Sequence, residues 1–242
     1  MLLWLLALSV MPSALSIYHF NIFKMIIIII SKFPDGYIAT SLTLKTFEKA
    51  ISMNYSTYKQ LFDDILDNPN PTAPYDDDTY LNYVRLNRSR MKRWDAQMVL
   101  DKKLEKQLTQ ISQPQHWIII SEPWCGDAAH IVPFLVKMAE QNELLTYEIQ
   151  LRDTEPFLID KYLTNGAKAI PKLIVRDSAG DDTFVWGPRA AAAQKLANDL
   201  KSSHAAKADI LDALQRWYNQ DKGESLCLEL STFLKEKELS RL

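Results

Sequence analysis

The chain has 242 residues, 47% apolar and 24% charged, with a formal charge of -2, a globular composition that excludes a generally nucleic-acid-coating protein. Two cysteines are too few for a disulfide-stapled scaffold or a four-cysteine zinc site. Gly36, Gly126, Gly166, Gly180, Gly187 and Gly223 stand too far apart for a phosphate-cradling or dinucleotide-binding loop, and neither a G-x-S-x-G elbow nor an H-E-x-x-H helix occurs.

Residues 1–52 differ in character from the rest. Met1 to Phe23 has no Asp, Glu, Lys or Arg, and MIIIII follows Lys24. That is apolar enough for a membrane span or a signal segment, yet no cationic stretch precedes Leu2, Pro12 interrupts the first half and no cleavage site stands out. The expectation is that this leader is dispensable or the product of too early a start, with Met53 opening the folded chain; a membrane anchor and an exported signal remain the alternatives. The leader carries +2, leaving -4 for the remainder.

From Tyr55 to Leu66, apolar residues recur at helical spacing until Asn68-Pro69-Asn70-Pro71 ends the pattern. After the linker PNPTAPYDDD, the stripe Tyr80, Val84, Met91, Trp94, Met98, Leu104, Leu108 and Ile111 predicts one long helix or two abutting ones. Asp76, Asp77 and Asp78 suit its N-terminal cap better than a metal. Arg85, Arg88, Arg90, Lys92 and Arg93 read as a solvated face of that helix, since no aromatic ladder accompanies them.

HWIIIS, His116 to Ser121, has the β-branched run of a buried parallel strand, and a helix with Pro133 inside it follows. Leu145 to Leu151 alternates as a strand, Pro156 to Leu163 is a short helix, and Lys172 to Arg176 and Thr183 to Trp186 form a hairpin. Helices are predicted over Arg189 to Leu200, Ala205 to Tyr218 and Glu224 to Leu239. This order predicts an α/β fold in which a parallel βαβ unit gains an antiparallel edge. The boundaries are a leader at 1–52, a helical extension at 53–111, a core at 112–202 and C-terminal helices at 203–242.

At the end of the first strand, Glu122-Pro123-Trp124-Cys125-Gly126-Asp127-Ala128 opens a helix. This resembles the W-C-G-x-C corner of the thioredoxin family, with CGDA in place of CGxC, and Ala169-Ile170-Pro171 stands where that fold places its cis-proline. Asp153 and Gly187 also fall at expected positions. The resemblance implies a thioredoxin-like fold over about residues 112–202, with a central four-stranded mixed sheet flanked by helices, and points to bacterial, cytoplasmic members. It implies Cys125 as the nucleophile, Trp124, Gly126, Asp127 and Ala128 as the corner, and Ile170 and Pro171 as the edge that pairs with a substrate.

Two departures bear on activity. Ala128 stands where the resolving cysteine belongs, and Ile119 replaces the buried carboxylate six residues before the nucleophile. Dithiol turnover is excluded; monothiol exchange remains, completed by an external thiol such as glutathione as co-substrate, with a redox-inactive adaptor as the alternative. A peroxide-reducing site is disfavoured by Glu122, where Thr or Ser is usual. A helix N-terminus favours the Cys125 thiolate, Arg189 would reinforce it and Asp127 would oppose it. Arg152, Asp153, Lys172 and Arg189 are candidates for the charged rim, with a solvated helix start the more ordinary role for Arg189. His130 reads as a structural rather than a catalytic or metal-binding histidine, and Cys227 as a core thiol. Neither cofactor nor metal is expected. The expected partner is a protein or low-molecular-weight disulfide or thiol, without nucleic acid, and without membrane unless the leader acts as an anchor.

Overall fold

The computed structural model describes residues 52–239; the leader expectation lies outside them. Helix α1, Tyr55–Asp67, starts where Asn54 Oδ1 accepts the Thr57 N–H at 2.8 Å, satisfying one of the free amides of a first turn. Of the two readings of the next stripe, two helices form. Asp77 caps α2, Asp78–Gln97, by accepting the Thr79 N–H, and Asp101 caps α3, Lys102–Thr109.

The β-branched run forms β1, Gln115–Ser121, followed by α4, Gly126–Ala139, with Pro133 inside it. Strand β2, Leu145–Leu151, leads to a single 3-10 turn, Leu158–Lys161, shorter than the predicted helix because Phe157 before it is left-handed, with φ 52°, and Tyr162 after it, with φ -129°, is not helical. The hairpin β3, Lys172–Arg176, and β4, Asp182–Trp186, precedes α5, Ala191–Ser202, α6, Lys207–Asp221, and α7, Glu224–Leu239.

The sheet order is β2-β1-β3-β4, with β1 parallel to β2 and antiparallel to β3. Central β1 is therefore covered on both faces, which is why HWIIIS shows no polar alternation. Trp117, Ile118, Ile119 and Ile120 are at most 2% exposed, and each such burial contributes roughly 1.5–3 kcal/mol of transfer free energy. Met53 pairs with Ile149 through both main-chain hydrogen bonds, covering part of the β2 edge that would otherwise offer unpaired amides.

Both helical extensions are tied to the sheet domain. The α2 residues Val84, Asn87, Met91 and Trp94, spaced by three or four, form its buried stripe. In α7, Glu229 accepts from Trp186 Nε1 at the end of β4 and from the Ala191 N–H at 2.7 Å, capping α5, whose own preceding residue, Ala190, has no capping side chain. Gln107 of α3 exchanges hydrogen bonds with Ser231 of α7.

Candidate functional site

The site lies where β1 passes into α4. Cys125 occupies the N-cap position, and the Asp127 and Ala128 amides favour charge on its sulfur, the local effect that a helix start exerts. Across from it, the Ile170–Pro171 peptide is cis, and the Cys125 thiol donates to the Ile170 carbonyl oxygen at 3.4 Å. Gly187 permits the close approach behind Pro171: its φ is +112° and a Cβ there would run into the Pro171 carbonyl. Ile170 and Pro171 are both buried, and the Ile170 carbonyl already accepts from the thiol.

The opposing influences on the Cys125 sulfur, whose net sign the sequence leaves open, balance against the thiolate. Cys125 is 7% exposed, and its pKa is pushed up to about 12, first by burial and second by the Asp127 charge. The helix amides and Arg189 pull the other way without prevailing, because loss of solvation weighs more on an ionised sulfur than a few partial charges recover. At neutral pH the closed site holds a thiol.

Asp127 is the electrostatic centre of the corner. Its carboxylate pairs with Arg189 at 2.5 Å and accepts from the Tyr218 hydroxyl of α6 at 2.8 Å. Arg189 is therefore drawn into the corner rather than solvated at a helix start, and its guanidinium also donates to Gln194. Ala128 is 1% exposed and packs in the core, filling the resolving position with a methyl group.

Trp124 is half-buried, held edge-on by Tyr80 at 5.9 Å, with the Arg152 guanidinium over its ring at 4.6 Å. Arg152 makes a two-pronged contact with Asp153 at 2.8 and 2.6 Å, so these predicted rim residues do meet at one edge of the corner. Lys172 does not join them: it is 4% exposed, and its ammonium is spent on the Thr164 hydroxyl and the Gly187 carbonyl.

In the sequence, Glu122 bears only on the exclusion of a peroxide-reducing site. Its carboxylate is 5% exposed, accepts the Asp153 N–H at 2.9 Å and has its pKa raised to about 7, chiefly by burial. A buried acid is thus present beside the corner although position 119 carries isoleucine, and a glutamate following an apolar strand was the available signal.

His130 is structural. Trp94 Nε1 donates to its Nδ1 at 2.9 Å; because an indole can only donate, the imidazole proton is on Nε2, which faces Gln215 Oε1 at 3.1 Å. The ring stacks on Tyr218 with centroids 4.4 Å apart, and burial pushes its pKa down to about 3. The basic run of α2 does not remain wholly solvated: Arg88 pairs with Asp63, Arg93 donates to Asn219 of α6 at 2.7 Å and Arg90 is half-buried against Gly126. Helical periodicity turns these two arginines toward α4 and α6. Cys227 is 4% exposed within α7, the core placement expected. Among the described residues, no group of three or more His, Cys, Asp or Glu side chains could hold a metal ion, and no helix is long and apolar enough to cross a membrane.

A family model described as Thioredoxin matches residues 73–201, more than half of the chain and including the corner, the cis-proline segment and all of α2. The chain belongs to the thioredoxin family. Two solved structures resemble it more distantly: an HIV epitope-scaffold, 14% identical with a TM-score of 0.49, covering 77% of this chain and 94% of its own, and a protein of unknown function from Pseudomonas aeruginosa, 15% identical with a TM-score of 0.42, covering 72% and 94%. At that similarity neither bears on function, and no curated protein matches the sequence. The family match and the mixed sheet agree on a thioredoxin-like fold.

Proposed function

We propose that this thioredoxin family protein carries out monothiol exchange at Cys125, with an external thiol such as glutathione completing the cycle. The observation that carries the reading is the placement of a single cysteine at the start of α4, facing the Ile170 carbonyl beside Pro171, while buried Ala128 occupies the resolving position. The Cys125 thiolate attacks one sulfur of a disulfide, forming a mixed disulfide and expelling the other sulfur as a thiolate. A glutathione thiolate then attacks the glutathione sulfur of a Cys125–glutathione mixed disulfide, producing oxidised glutathione and restoring the Cys125 thiolate.

With its pKa near 12 in the closed form, Cys125 reacts only when the corner loosens enough to admit water and substrate. That same protection supports the second reading, a redox-inactive adaptor that uses the cleft for binding alone. Alkylation rate against pH, combined with turnover of a glutathione mixed disulfide by wild type and Cys125→Ser, separates them. Exchange requires turnover that the serine variant loses. An inert thiol without Cys125-dependent turnover leaves the adaptor.

A further inference from the structure

The Cys125 corner gathers more positive charge than its carboxylates neutralise. Arg189 and Arg90 lie at the start of α4, and Arg93 follows Arg90 one turn along the same face of α2. Arg189 is paired with Asp127. Arg90 comes from α2, where a Cβ added to Gly126 would lie 3.5 Å from its Nη1, and its hydrogen bond goes to the neutral Asn87 Oδ1 at 2.8 Å. Arg93 likewise bonds a neutral amide, Asn219, and lies over the Trp94 ring at 4.7 Å. Among the described residues neither Arg90 nor Arg93 has a carboxylate within ion-pair distance, and the Nε atoms of Arg93 and Arg189 are buried without a partner.

Asp221, at the end of α6, is committed to the Ser225 N–H and hydroxyl at the start of α7. After burial, Arg93 is the next influence lowering the Arg90 pKa, with the Asp127 charge a smaller opposing one, and both arginines help to keep His130 neutral. Half-buried like charges with neutral partners are costly unless an anion joins them.

We infer that Arg90 and Arg93 form a subsite for a carboxylate of a low-molecular-weight thiol or disulfide whose sulfur reaches Cys125. The thiol part of this assignment rests on the exchange reading; the carboxylate part does not. A planar guanidinium favours a planar carboxylate, and the closeness of Arg90 to Gly126 calls for a ligand carrying both groups within one small molecule.

S-methylglutathione, whose blocked sulfur cannot exchange, is the probe. Calorimetric titration of the full chain should show binding that weakens with salt and falls about tenfold or more in Arg90→Gln and in Arg93→Gln, with Arg90→Lys falling between. Unchanged binding in folded glutamine variants, or no binding to wild type, overturns the subsite. Should Arg90→Gln fail to fold, Arg90→Lys carries the comparison, since it retains charge and loses the fork. Displacement of the probe by an equal concentration of inorganic phosphate would overturn the carboxylate assignment. Arginine-independent binding alongside Cys125-dependent turnover would remove the subsite and leave exchange standing; arginine-dependent binding without turnover would do the reverse.

Discussion

Asp127 determines how ready the Cys125 sulfur is. It lies two residues past the cysteine on the first turn of α4, close enough for its charge to raise the thiol pKa, while Tyr218 and Arg189 fix its carboxylate in place. Arg189 thus spends most of its charge on Asp127 rather than on sulfur. Replacing Asp127 by Asn keeps an acceptor for Tyr218, removes the negative charge and leaves Arg189 free to act on Cys125. The thiol pKa should then fall, and iodoacetamide alkylation at neutral pH should quicken by roughly tenfold, as expected for one like charge at short range. An unchanged rate would assign the protection to burial alone. The sequence named both residues and their opposing signs, but which effect prevails depends on how deeply the sulfur is buried, and burial is a property of the packed chain.

At the scale of elements, the β1–α4 corner carries two buried titratable groups with opposite effects on stability. His130, held between α2 and α6, has a folded pKa of about 3, below its ordinary value. The folded state therefore binds fewer protons, so its contribution is complete above the ordinary imidazole range and is lost as pH falls toward 3. Glu122, at the junction of β1 and the corner, has a folded pKa of about 7 against an ordinary 4.5. Its contribution is complete below 4.5 and is lost as pH rises through 7. Glu122→Gln retains an acceptor for the Asp153 amide and removes that loss. Urea unfolding should find the variant stabilised relative to wild type by ~2–3 kcal/mol more at pH 8 than at about pH 4.5; equal differences at both pH values would show that Glu122 is ionised in the folded state.

Over the whole molecule, both extensions hold the corner. Asn87 of α2 donates to the Pro123 carbonyl at 2.9 Å, and Tyr218 of α6 donates to Asp127. The same two helices sandwich His130, bonded to Trp94 and stacked on Tyr218. Opening the corner to a substrate therefore loosens contacts made by segments far apart in sequence. Asn87→Ala and Tyr218→Phe should each cost about 1 kcal/mol and speed amide exchange at Gly126, Asp127 and Ala128. Because both helices hold His130 and Arg93 of α2 bonds Asn219 of α6, the two costs should be non-additive in the double variant; additive costs would show that the extensions act independently.

The fold was largely legible in the chain. HWIIIS has the pattern of a strand covered on both faces, and the resemblance carried by the WCG corner and Ile170-Pro171 implied both the architecture and, at Ala128, the missing resolving thiol. These features are local, fixed by periodicity, turn chemistry and spacing along the chain. What the tertiary structure alone decided is long-range: the burial that protonates Cys125, the withdrawal of Lys172 from the rim, the capture of Arg189 by Asp127, the buried acid at Glu122, and the turning of Arg90 and Arg93 toward α4 and α6. Each depends on which surfaces are packed together and how much water is left between them. Solvation acts on ionisable groups through space rather than along the sequence, so the sequence alone determined that this family member has one cysteine at its corner, and only the packing decided that the cysteine rests as a protected thiol.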